Sequence, residues 1–150
     1  MQKKCNVGSN ASTSSIFVIE LYTFPHKSWV YDTGCGTHIC NTTHGLRGSK
    51  RLNPGALSLY VGNGNRAAVE AIGSFDLYLP SGLIIVLDNC HYDPSITRGI
   101  VSVSLLKDKG FTHCFTDIGI SVSMNNLFYF NVVSRNGIFE IDMHDSVSND

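Results

Sequence analysis

The sequence predicts an all-β fold, mainly antiparallel, closed or nearly closed into a β-barrel and carrying one short helix. Three observations carry this expectation. Short runs of β-branched and aromatic residues recur, several of them with period-two alternation. Gly, Pro and Asn punctuate those runs at close intervals. One stretch, residues 104–109, has a Ser near its start and Gly110 just past its end, as a helix does.

Taken in order, residues 1–15 are polar and rich in Ser, Asn, Thr and Lys, which predicts a flexible leader. The barrel domain is expected over 16–141. Its first strand is the run Ile16-Phe17-Val18-Ile19-Glu20-Leu21-Tyr22, broken by Phe24-Pro25-His26-Lys27. A second apolar run, Trp29-Val30-Tyr31, ends abruptly at Asp32-Thr33-Gly34. Leu57, Leu59 and Val61 alternate with Ser58 and Tyr60, and Phe75, Leu77 and Leu79 alternate with Asp76 and Tyr78. Pro80-Ser81-Gly82 turns the chain into a returning strand from Leu83 to Leu87, a hairpin by its turn residues. Further strands are expected at 111–116, 120–124, 127–132 and 138–141, with turns at Gly119, Asn125-Asn126 and Asn136-Gly137. Residues 142–150 are polar and acidic and predict a flexible tail.

The bulk properties restrict the function classes. With 43% hydrophobic residues, 15% charged and a formal net charge of −1, there is no basic surplus to suggest direct nucleic-acid binding. No apolar run approaches the ~20 residues that span a bilayer, and Met1 is followed by a polar stretch rather than a signal sequence. Five cysteines cannot all pair internally. The expectation is an intracellular, cytoplasmic protein with free thiols, bound to neither membrane nor cofactor.

Asp32-Thr33-Gly34 is the most informative tripeptide. By chance it appears in about one chain in twenty of this length, so its context matters. The apolar strand before it holds the aspartate near the interior, the Thr33 hydroxyl can lock the turn, and Gly34 permits close approach of a second backbone. Peptide hydrolysis by carboxylates needs two of them, one ionised to take a proton from water and one protonated to polarise the carbonyl. Asp117-Ile118-Gly119 lacks the hydroxyl, and Asp145-Ser146-Val147 lacks the glycine. The second carboxylate must then come from a second copy of the chain, which predicts a symmetric homodimer with Asp32 of each subunit facing across a two-fold axis. This reading requires the Asp32 loop to lie open at a rim.

The segment from Ser28 to Asn41 resembles the protease of copia-type retrotransposon Pol polyproteins, most like the plant branch. The likeness continues through Leu57-Ser58-Leu59-Tyr60-Val61-Gly62-Asn63-Gly64, through Asn89-Cys90-His91-Tyr92-Asp93-Pro94 and Arg98-Gly99-Ile100-Val101-Ser102-Val103-Ser104-Leu105-Leu106, and ends in Asn136-Gly137-Ile138-Phe139-Glu140-Ile141. The resemblance implies a retropepsin-like barrel and a dimeric aspartic endopeptidase acting on its own gag-pol polyprotein. It implies Asp32, Thr33 and Gly34 as the catalytic triplet and Tyr60, Val61, Gly62, Asn63 and Gly64 as a substrate-covering flap. It places the intact element's product in a virus-like particle and makes the leader a gag–protease linker. Two positions depart from the family's habit: Asp93 stands where an aliphatic residue is usual, and Gly99 stands where Asn is usual.

Other readings compete. Cys35, His38, Cys40 and His44 are ligand types within ten residues, but their C-x2-H-x-C-x3-H spacing is not a recognised zinc pattern. His38 is read instead as a hydrogen-bonded residue near the catalytic loop. Thiol catalysis by Cys35, Cys40, Cys90 or Cys114 needs a neighbouring histidine, but sequence neighbours on a strand face opposite ways. A catalytically inactive relic of the element is a further alternative.

Overall fold

The computed structural model describes residues 28–60 and 66–144. The expected leader, the expected strand at 16–22, flap residues Val61, Gly62, Asn63 and Gly64, and most of the expected tail lie outside these.

The described chain is built of twelve strands and one short helix. The strands are β1 (Trp29–Asp32), β2 (Ile39–Cys40), β3 (Leu46–Arg51), β4 (Ser58–Tyr60), β5 (Arg66–Ala68), β6 (Ala71–Tyr78), β7 (Ile84–Tyr92), β8 (Gly99–Ser102), β9 (Thr112–Thr116), β10 (Gly119–Met124), β11 (Leu127–Arg135) and β12 (Ile138–Ile141). The helix, α1, spans Val103–Asp108, with Ser102 as N-cap and Gly110 in left-handed backbone at φ 102° just beyond it. Asn125 and Asn126 (φ 55° and 67°) and Asn136 and Gly137 (φ 54° and 81°) form tight hairpin turns, the paired positive φ values that match strand twist.

Ten strands form one sheet in the order β3-β6-β7-β2-β8-β1-β12-β11-β10-β9, while β4 and β5 pair separately. The all-β class holds, but the ten-stranded sheet is open: among the described residues its hydrogen-bonded ladder ends at β3 and β9 and does not close. It curls nonetheless. The Tyr31 hydroxyl of β1 lies 2.6 Å from His113 Nε2 of β9, so side chains bridge what backbone pairing leaves apart. Pairing is mostly antiparallel, with two parallel pairs, β1 with β8 and β2 with β7.

The main core gathers Trp29, Tyr31, Phe75, Leu77, Leu87, Val101, Leu106, Val122, Phe130 and Val132 among others. A smaller cluster of Val30, Cys35, Ile39, Ile96 and Ile100 is packed by Leu59 and Ile138. Alternation along β1 and β8 sends successive side chains to opposite clusters, which is why all four residues of each strand are buried. Gly99 sits opposite Trp29 in the parallel register, and a Cβ there would run into the indole ring.

Candidate active site

Asp32 is the last residue of β1 and lies opposite Ser102, the last residue of β8. β8 is threaded between β1 and β2, in parallel with the first and antiparallel to the second through Ile39 and Ile100. The chain therefore leaves β1 at Asp32, loops through residues 33–38, and returns on the far side of β8. The loop is fastened at both ends. Asp32 Oδ1 accepts from the Gly34 N–H at 2.7 Å. At the other end, His38 Nδ1 accepts from the Ser102 N–H at 3.0 Å, and the His38 carbonyl accepts from the His91 N–H at 2.9 Å.

Ser102 links the loop to the helix. Its Oγ accepts from the Leu105 N–H at 3.3 Å, supplying one of the partners that a helix start lacks. Its own N–H is given to His38. Because Nδ1 is an acceptor, the neutral ring carries its proton on Nε2. Burial, with Lys109 adding to it, pushes the His38 pKa down to about 4, so the imidazole stays neutral near pH 7.

The loop opens outward at its turn but not at its carboxyl. Asp32 is 4% exposed, whereas Thr33 and Gly34 are exposed. The carboxyl thus lies one residue beneath an outward-facing turn. Tyr60 ends β4, and its hairpin partner on β5 is Arg66. The hairpin's tip falls outside the described residues. The strand before the tip presents Leu59 to the smaller apolar cluster.

Asp93 follows β7 and is buried, 1% exposed. Its Oδ1 accepts from the Ser95 N–H at 2.9 Å and from the Ser95 hydroxyl at 2.8 Å, while Oδ2 has no hydrogen-bond partner. The expectation that this carboxylate must be exposed, paired or destabilising resolves as half-satisfied, at a cost to stability. Sequence reasoning missed a second charged feature. Arg98, just before β8, pairs with Glu140 of β12 at 2.8 Å, with side chains 16% and 14% exposed. The pair spans β1, since Glu140 lies opposite Val30.

The competing chemistries find little support in the geometry. Among the described residues no group of three or more His, Cys, Asp or Glu is placed to hold a metal ion. Cys40 and Cys90 are fully buried, and the adjacent Cys40 thiol, then burial, push the Cys90 thiol well above its ordinary range. His113 turns to Tyr31, on the face opposite Cys114. Cys40, Cys90 and Cys114 are free thiols, but Cys35 is not, which corrects the expectation that all the cysteines are free. No described helix is long and apolar enough to cross a membrane.

Neither the comparison with curated proteins nor that with solved structures returns a match. The family model described as the Pol polyprotein, beta-barrel domain matches residues 29–111, from the first residue of β1 to just past α1. That range is more than half of the chain and contains Asp32, the threaded strand β8 and the β4–β5 hairpin. The chain belongs to the beta-barrel domain family of retroelement-type Pol polyproteins.

Proposed function

We propose that the chain is the aspartic endopeptidase of a copia-type Pol polyprotein, acting as a homodimer. The observation that supports this most is the seat of Asp32. It ends a strand buried on both faces, its carboxyl is fixed by the Gly34 amide, and the turn that follows is exposed. In this reading Thr33 and Gly34 meet their twins across a two-fold axis and bring the two carboxyls together. One carboxylate then takes a proton from water while its protonated twin polarises the scissile carbonyl. The two apparent pKa values belong to the pair. Substrate lies extended along the β4–β5 hairpin, pairing by backbone. The substrate is the gag-pol precursor, cut in the cytoplasm or in a virus-like particle.

The burial of Asp32 favours one other reading, a folded domain of the polyprotein that no longer hydrolyses. The two separate in one experiment. The full chain is incubated with peptides spanning the polyprotein junctions, with and without a peptide mimic bearing a central hydroxyl. Cleavage that is bell-shaped in pH, blocked by the mimic and lost in Asp32→Asn supports the protease. Absence of cleavage and of mimic binding, in protein that self-associates, supports the inactive domain.

A further inference from the structure

The two edges of the large sheet are built differently. β3 carries exposed Arg47, Lys50 and Arg51, and its register with β6 shifts between Arg47 and Lys50, where Gly48 takes φ 58°. Charge and irregularity of this kind prevent an edge from pairing with other chains. β9 has none of it. Its sequence is Thr-His-Cys-Phe-Thr, its register with β10 is regular throughout, and β10 is its single strand neighbour among the described residues. Burial and Lys107 hold the pKa of its one titratable ring, His113, below the ordinary value, so the strand is uncharged at neutral pH.

The apolar rows of the core run out to this edge. One row passes from Ile141 through Val132 and Ile120 to Phe115, and the next from Phe130 through Val122 to His113. Exposure climbs along the first row, from 0% at Val132 to 82% at Phe115. Ile118, in the adjoining turn, is 70% exposed. The row ends on a large aromatic ring with no further strand beyond it among the described residues.

We infer that β9 is a self-pairing edge, which joins antiparallel to β9 of a second copy about a two-fold axis through Cys114. The strand's own sequence fits this partner. The axis sets Thr112 opposite the partner's Thr116, His113 opposite the partner's Phe115, and Cys114 opposite the partner's Cys114. The Phe115 row of one copy then continues into the His113 row of the other. The backbone alternation agrees. The two-residue turn Asp117-Ile118 closes on the pair Thr116–Gly119, and such a closing pair exchanges its hydrogen bonds. Thr112, Cys114 and Thr116 thus spend their backbone groups on β10, while His113 and Phe115 aim theirs outward. The pair at the axis is then non-hydrogen-bonded, the closer type, with the two free and exposed Cys114 thiols side by side on the solvent face. Five residues of pairing make a small interface, so the dimer dissociates on the order of micromolar concentrations. The inference does not rest on proteolysis, because this contact is separate from the one proposed at the Asp32 turn: an inactive protein that pairs through β9 leaves it standing, and an active one that pairs only through Asp32 overturns it.

Sedimentation velocity of the full chain from about 1 to 100 µM, a range bracketing that affinity, is paired with trapping by diamide. Diamide takes one hydrogen from each thiol, is reduced to its hydrazine, and leaves an S–S bond between copies. The expected result is a concentration-dependent dimer and a covalent dimer lost in Cys114→Ser. The Cys114→Ser protein still associates reversibly. Phe115→Asp weakens association about tenfold or more with its far-ultraviolet circular dichroism unchanged. Should that variant fail to fold, Cys114→Lys on the solvent face sets two like charges opposite one another and weakens association in its place. A monomer throughout the range, a covalent dimer that persists without Cys114, or undiminished association in the charged variant overturns the inference.

Discussion

His38 makes the fold sensitive to acid through a single ring. Between pH 6.5 and about 4 the unfolded chain binds a proton on this residue that the folded chain refuses. Stability contributed by the neutral ring is complete above pH 6.5 and is lost as the pH falls toward 4. The difference of about 2.5 pH units, at 1.36 kcal/mol each, is about 3 kcal/mol. The ring is 2% exposed, so solvent does little to soften this figure. Urea unfolding at pH 7, 6, 5 and 4 measures the loss. His38→Asn, which keeps an acceptor for the Ser102 amide, removes the titration. Asp76, held below the ordinary carboxylate range by Arg47, titrates alike in both proteins and cancels in the comparison. Asp88, held down chiefly by Lys109, also feels the His38 charge, so its small contribution belongs to the same interacting pair. The wild type is expected to lose about 3 kcal/mol more than the variant over this range. A direct titration of the His38 ring by NMR, expected to give a midpoint near 4, needs no variant. Equal slopes for the two proteins together with a midpoint near 6.5 refute the reasoning.

Other expectations follow from the same contacts. Gly99→Ala forces a methyl against the Trp29 ring and is expected to cost about 2 kcal/mol in urea unfolding. Ser102→Ala removes the helix cap and is expected to cost about 1 kcal/mol, with reduced amide-exchange protection in α1. Glu140→Gln leaves Arg98 half-buried beside a neutral partner and is expected to cost about 2 kcal/mol, less in high salt. Asp32→Asn keeps an oxygen for the Gly34 amide and is expected to leave the chain folded, as checked by circular dichroism, while removing any hydrolysis.

What the sequence disclosed follows where its signals were local. Hairpins β6–β7, β10–β11 and β11–β12 were legible because alternating apolar residues flank Pro80-Ser81-Gly82, Asn125-Asn126 and Asn136-Gly137. The helix was legible from Gly110, although its cap is Ser102 and not Ser104. β3 was invisible, because Leu-Arg-Gly-Ser-Lys-Arg at an exposed edge has no apolar alternation to read. β2 was too short to register, and it is held in place by pairing with strands β7 and β8 beside it. A hydrogen-bonded His38 was anticipated. The Ser102 amide as the partner of His38 was not, since these residues lie 64 positions apart. Nor did any pattern announce that Glu140 would stand beside Val30, or that Asp93 would be buried. Long-range pairing and polar burial leave no periodic trace.

The threading of β8 between β1 and β2 also governs when a newly made chain acquires its site. The strand that flanks the carboxyl-bearing turn is encoded some seventy residues later, and β12 on the other side later still. Ribosomes add about 5–20 residues each second, so Asp32 spends several seconds in an unfinished nascent polypeptide. Closing so large a loop is slow in its own right. Completion of the domain thus carries a built-in delay, during which no molecule emerging from the ribosome has its acid enclosed between the strands that bury it in the finished fold.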